Sequence, residues 1–290
     1  MKGLEIVDAQ VHLWSDVAQE KIASSAPYRR INGGDAASPP VPFTPEDMLA
    51  EMDEAGVDRA VLVPSDWGRD DLGFALSAAV RYPDRFGVVG KFDLRAQNGP
   101  AWLAKQVRRP GTLGVRVLLH KEPGRSMLAD GALEWFWKAA QDADVPVMLQ
   151  PHGSLPVIGE VARRYPALRL IIDHLALDPL TGIGPVREDL IEPSIDALVA
   201  VAGPPNIAVK ASCLPNYVSD PYPFESLHGH IRRVIDAFGP KRVFWGSDLS
   251  RLRCTYGELV TLFTEELGFL SEDDLEWVMG RGIRTWLRWI

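Results

Sequence analysis

The sequence predicts one (β/α)8 barrel domain spanning residues 1–290. Three observations lead there. Eight short runs rich in Val, Ile and Leu recur along the chain, most of them apolar nearly throughout, as strands buried on both faces of a parallel sheet must be. Helix-like segments fall between the runs, giving the alternation of βαβ units, and right-handed crossovers close eight such units into a barrel. Ionisable side chains collect at the C-terminal ends of the runs, the face on which such barrels carry their chemistry. A doubly wound open sheet is the competing arrangement. If it bound a nucleotide it would show a Gly-rich turn after the first strand, and here that strand ends in VHLWSD with no GxGxxG.

The first run, GLEIVDAQVHL, covers 3–13. A helix over 44–56 opens with Thr, Pro and Glu, a capped start, and stops at Gly56. The second run is RAVLVPS at 59–65, followed by a helix over 71–83 that ends at a proline. The third and fourth runs are FGVVGKFDL at 86–94 and GVRVLLH at 114–120. A helix over 131–143 leads to VPVMLQPH at 145–152, and a helix over 155–166 leads to LRLIIDHLAL at 168–177. The seventh run, NIAVKAS, spans 206–212; a helix over 226–239 ends on Gly239 before RVFWGSDL at 242–249. Residues 15–43 and 213–225 are too long for plain connections. Both follow strand ends, so each is either a lid or binding loop or, for 15–43 above all, disordered surface.

Composition narrows the classes of function. Apolar residues make up 46% and charged residues 24%, ordinary values for a soluble globular chain. A net charge of −8 argues against a nucleic-acid partner, which calls for a basic stripe. The two cysteines, Cys213 and Cys254, are far apart and form no CxxC, so neither a disulfide scaffold nor a thiolate zinc site is expected. No signal peptide or membrane-spanning run is evident, and the expected location is the cytoplasm. Nine tryptophans and the C-terminal LRWI make a homo-oligomer conceivable.

The candidate site follows from strand ends. His12, His152, His174 and Asp248 close runs one, five, six and eight. Side chains two apart on a strand share a face, so Gln10 accompanies His12 and Arg116 accompanies His120, while Lys210 sits near the end of run seven. One histidine at a strand end is usually structural; four ionisable groups at one barrel mouth are harder to dismiss. Gln150, Trp14, Trp67, Tyr217 and Tyr222, with Tyr28, Arg29 and Arg30, are candidates to line or cap a pocket, although tryptophans there as often serve packing. His228 and His230 open a helix and read as surface or capping residues, and Cys213 as a small buried one. There is no GxSxG elbow and no P-loop.

DAQVHLW at the first strand resembles the D-A-H-x-H-x-W signature of the amidohydrolase-related (amidohydrolase 2) family. LRLIIDHLAL is similar to its sixth strand, RVFWGSDLS to its eighth, and VMGRGIRTWLRW to its terminal helix. The order is kept along the whole chain. Within the family the resemblance is to the branch of lactonases related to 2-pyrone-4,6-dicarboxylate lactonase, with zinc-dependent decarboxylases a more distant branch. One position departs from the pattern. The family's metal-binding motif has two histidines flanking one residue on strand 1, and here the first is Gln10, whose amide oxygen is a poor zinc ligand beside imidazole.

The resemblance implies a metal-independent hydrolase of a lactone or related carboxylated small molecule, working without a cofactor. Asp248 would take a proton from water, and His12 and His174 would stabilise charge on the carbonyl oxygen. Arg116 would either pair with a substrate carboxylate or be neutralised by a carboxylate of the barrel itself; Lys210 would add positive charge. Gln10, His120, His152, Trp67 and Tyr217 complete the expected substrate contacts. The alternative is a decarboxylase or hydratase with one zinc on His12, His152, His174 and Asp248. A non-enzymatic binding barrel is a third reading, and the joint presence of His12, His174 and Asp248 argues against it.

Overall fold

A computed structural model describes residues 3–15, 42–64, 71–96, 98–178 and 186–290. Eight parallel strands form one sheet in the order of the sequence: β1 (Val7–Val11), β2 (Arg59–Leu62), β3 (Phe86–Lys91), β4 (Thr112–Leu118), β5 (Val147–Gln150), β6 (Leu170–Ile172), β7 (Ile207–Ser212) and β8 (Val243–Gly246). The Asp248 N–H donates to the Gln10 carbonyl at 2.8 Å, joining the last strand's exit to the first strand. The sheet therefore curls into the (β/α)8 barrel expected from the eight runs.

Helices α1 (Pro45–Ala55), α2 (Asp71–Arg81), α3 (Gly99–Val107), α4 (Gly124–Ala129), α5 (Glu134–Asp142), α6 (Leu155–Arg164), α7 (Ile191–Val199) and α8 (Glu225–Phe238) connect successive strands. The chain ends in α9 (Tyr256–Thr261), α10 (Glu272–Glu276) and α11 (Gly282–Leu287). The start of α1 follows directly from its sequence. Thr44 accepts a hydrogen bond from the Asp47 N–H, Asp47 reciprocates on the Thr44 N–H, and Pro45 takes the first turn. Gly56 ends the helix at φ 72°, a left-handed conformation that glycine adopts without a Cβ clash.

Two buried layers result. The larger packs helices against the outside of the sheet and includes Leu62, Val88, Val117, Leu149, Ile172, Val209 and Trp245. The smaller fills the barrel with Val7, Val61, Val89, Met148, Ile171, Ala208 and Phe244, and Ile283, Leu287 and Trp289 of the C-terminal segment join it. Strand periodicity then fixes what stands above the inner layer. Two residues beyond Met148, Ile171 and Ala208 come Gln150, Asp173 and Lys210, and four beyond Phe244 comes Asp248.

Several elements differ from the sequence-based expectation. The strands are shorter than the apolar runs, because pairing around the barrel, not hydrophobicity, ends them. Helix α5 begins at Glu134 rather than 131, and α3 and α7 occupy stretches whose helical pattern was too weak to name. The sixth strand stops at Ile172, and Asp173–Ala176 form a short turn in which His174, Leu175 and Ala176 all have positive φ, at 50°, 51° and 58°. Trp14 and Phe43 pair as an isolated antiparallel bridge, their rings 5.4 Å apart, so Trp14 is buried packing.

Candidate functional site

The barrel mouth is built on one charged layer. Asp173, fully buried, receives Lys210 Nζ on Oδ1 at 2.7 Å and Arg116 Nε on Oδ2 at 2.8 Å. Burial alone would raise its pKa, but the ammonium and guanidinium outweigh burial and hold it at about 2. Arg116 also donates through Nη2 to Gln150 Oε1 at 3.3 Å. Of the two fates open to Arg116, the structure contains the internal ion pair. Burial lowers the Lys210 pKa and Asp173 opposes that shift. Two buried cations thus face one buried carboxylate at this layer.

Lys210 Nζ donates to Gln10 Oε1, which settles the orientation of the Gln10 amide. An ammonium can only donate, so it must face the oxygen. The amide NH2 is then turned toward His12 Nε2, 3.4 Å away. His12 is fixed from its other side, since its Nδ1 meets the carbonyl of Val63, which can only accept; Nδ1 therefore carries a hydrogen. His12 Nε2 lies 3.1 Å from Asp248 Oδ1.

His174 completes the cluster. Its Nε2 is 3.9 Å from Asp248 Oδ2, and its Nδ1 is 2.8 Å from Ser212 Oγ at the end of β7. Burial drives its pKa down to about 3, overriding the pull of Asp248 and Asp173, so the ring is neutral at pH 7. Both His174 and Asp248 hold left-handed backbone conformations, Asp248 at φ 52°. Such geometry costs on the order of 1–3 kcal/mol per residue and gathers at functional sites.

The remaining predicted residues stand further out or deeper. His120 is half-buried at the exit of β4; burial first, then Lys121, lowers its pKa to about 4. His152 turns its Nδ1 to the Ala176 carbonyl at 3.3 Å and its Nε2 toward Asp178 at 3.9 Å. Tyr217 is buried within the outer core, and Tyr222 donates to Glu266. His228 bonds the Pro223 carbonyl and His230 lies 3.3 Å from Glu192, consistent with surface and capping roles. Trp67, Tyr28, Arg29 and Arg30 lie outside the described residues.

Four contributors escaped the sequence reading: Asp173, Ser212, Asp8 and the Val63 carbonyl. Asp8, fully buried, accepts from the Gln10 N–H, the Ser247 N–H and hydroxyl, and the Tyr256 hydroxyl at 2.7 Å. Burial raises its pKa to about 6 against the lowering effect of these bonds. It ties β1 to the turn that presents Asp248. The alternation of Asp8, Gln10 and His12 along β1 was the available signal.

Comparison with known proteins now decides the family. The amidohydrolase family profile matches residues 7–289. The chain belongs to the amidohydrolase family. An L-fucono-1,5-lactonase of Burkholderia ambifaria is 31% identical over 220 residues, covering 74% of this amidohydrolase and 73% of the relative. A Burkholderia multivorans amidohydrolase with bound zinc superposes with a TM-score of 0.80 at 21% identity, covering 98% of this chain and 99% of its own. A probable 2-pyrone-4,6-dicarboxylic acid hydrolase from Acinetobacter baumannii, crystallised with citric acid, gives 0.70 at 15% identity, covering 98% and 99%. This amidohydrolase is accordingly an enzyme of the hydrolase class.

The zinc in that neighbour raises the question of whether the residues here fit one. Among the described residues, no three of His, Cys, Asp or Glu are grouped so as to hold a metal ion. Gln10 points a hydrogen-bond donor, not a ligand, at His12 Nε2, the atom a metal would need. The donor set as it stands does not fit zinc. Among the described residues no helix is long and apolar enough to cross a membrane.

Proposed function

We propose that this amidohydrolase opens the ring of a small-molecule lactone by direct attack of water, without a metal. The observation that carries the reading is the convergence of Asp248, His12 and His174, with His12 Nε2 3.1 Å from Asp248 Oδ1 and His174 Nε2 3.9 Å from Oδ2. The lactonase relative supports the substrate class. A sugar-acid lactone is the first compound to test.

In this scheme Asp248 is a carboxylate and His12, held through Nδ1 by the Val63 carbonyl, is a neutral imidazole. Asp248 accepts a proton as water attacks the carbonyl carbon. His174 Nε2–H stabilises the oxygen anion that develops, and His12, 3.1 Å from Asp248 Oδ1, accepts from the carboxyl once Asp248 is protonated. In this scheme Ser212 is taken as the donor to His174 Nδ1, the direction that keeps the hydrogen on Nε2. When the tetrahedral intermediate collapses, the ring C–O bond breaks and Asp248 returns its proton to the leaving alkoxide. The buried positive charges of Arg116 and Lys210 favour both the anionic intermediate and a substrate bearing a carboxylate. His120 and His152 then stand on the outer wall of the mouth, while Tyr217 packs in the outer core.

The deciding experiment is turnover of a lactone panel before and after chelation, with elemental analysis of untagged protein. Less than about a tenth of an equivalent of metal, with turnover surviving chelation, supports the proposal. About one equivalent of zinc, with activity lost on its removal, overturns it in favour of a zinc-dependent decarboxylase or hydratase.

A further inference from the structure

The water-attack scheme uses Lys210 only as a positive charge, which does not account for the partners it makes. Its Nζ reaches Asp173 Oδ1, Gln10 Oε1 and Met148 Sδ, all inside the barrel. Asp173 would remain paired without it, because Arg116 Nε holds the other carboxylate oxygen at 2.8 Å. Beyond its charge, what the ammonium contributes is the orientation of Gln10. With Lys210 on Oε1, the NH2 must face His12 Nε2. A metal approaching His12 would then meet a donor hydrogen on the ligand atom, and a fixed positive charge directly behind that amide. In a low-dielectric interior the second effect is large, since like charges a few ångströms apart repel by several kcal/mol even at an effective dielectric of about 20.

We infer that Lys210 and Gln10 act together as a metal-excluding pair, keeping His12 Nε2 for proton chemistry by denying it to zinc. Both are positioning residues in this role. The inference rests on the metal-free reading above and extends it, because it names what makes the site metal-free.

The test measures zinc bound per chain by equilibrium dialysis with zinc chloride alone. The proteins are wild type, Gln10→His, Lys210→Met and the double variant, each checked for folding by circular dichroism and thermal melting. Methionine matches the length of lysine and sits beside Met148, so the barrel interior stays filled. If the double variant does not fold, Gln10→His with Lys210→Gln replaces it. The expected result is under about a tenth of an equivalent in wild type and about one in the double variant, with zinc affinity raised about 100-fold or more over either single variant. Cobalt(II) should give a visible absorption band in the double variant alone. A double variant that binds no more zinc than wild type overturns the inference while leaving the metal-free hydrolase standing. Equal zinc binding by Gln10→His and the double variant removes Lys210 from the role. One equivalent in wild type sinks both readings together.

Discussion

Asp248→Asn changes one oxygen to an amide nitrogen at the point where His12 and His174 converge. The side chain keeps its size but can no longer take a proton from water, so kcat should fall by about 10²–10⁴ while KM moves little. An equal rise in KM would mean that Asp248 binds substrate rather than reacting. Ser212→Ala leaves His174 neutral but frees its tautomer. About a tenfold loss of kcat is expected, the effect of one hydrogen bond of about 1.4 kcal/mol, with Ser212→Thr retaining activity. At this scale much was legible. Gln10, His12, Arg116, His174, Lys210 and Asp248 were all found from strand ends, and they do meet. Asp173 was not. It sits inside LRLIIDHLAL, where its neighbours read as a continuous strand, and its two partners lie 57 and 37 positions away on other strands. Ser212 was missed because a hydroxyl has no signature until the imidazole it serves is in place.

The clamp between β1 and β8 is the element on which this geometry depends. Asp8 receives four donors, from Gln10, Ser247 and Tyr256, at the seam where the first and last strands meet. Asp8→Asn replaces one accepting oxygen by a donor, leaving at least one buried partner unsatisfied at a cost of about 1–3 kcal/mol. Thermal melting should register that loss, and kcat should fall with it because Asp248 follows Ser247 directly. Unchanged kcat in a folded Asp8→Asn enzyme would uncouple the clamp from the chemistry. The π-helical turn Trp277–Arg281 packs under the same strand: a Cβ on Gly280 would come within 2.3 Å of the Glu5 carbonyl. Gly280→Ala should therefore destabilise the protein by about 1–3 kcal/mol, visible as a lowered urea midpoint, with activity per folded molecule intact. The order of elements was readable from apolar runs alone. Their ends were not, because the left-handed turn at His174–Ala176 is imposed by the barrel rim and leaves no mark in hydrophobicity.

For the whole molecule, the buried charges set a pH window. His174 has a folded pKa of about 3 and His120 of about 4, both below the unfolded value of 6.5. As pH falls from 6.5 the unfolded chain takes up protons that the folded chain refuses, so stability is lost through this range. Asp173, held at about 2 against 3.8 unfolded, adds a further loss below pH 4. Asp8 runs the other way. Its folded pKa of about 6 exceeds 3.8, so its contribution improves as pH falls from 6 to 4 and partly offsets the histidines. Urea midpoints should decline from pH 7 to pH 4, and His174→Asn should flatten that decline. A midpoint that rises on acidification would contradict the buried neutral His174.

The hydrogen bond from the Asp248 amide to the Gln10 carbonyl spans nearly the full chain. During synthesis β1 leaves the ribosome first and waits for more than two hundred residues before its counterpart exists. A nascent chain carrying seven strands holds His12, Arg116, His174 and Lys210 but lacks the carboxylate that would use them. On the proposed role of Asp248, chemistry waits for the ring to be completed.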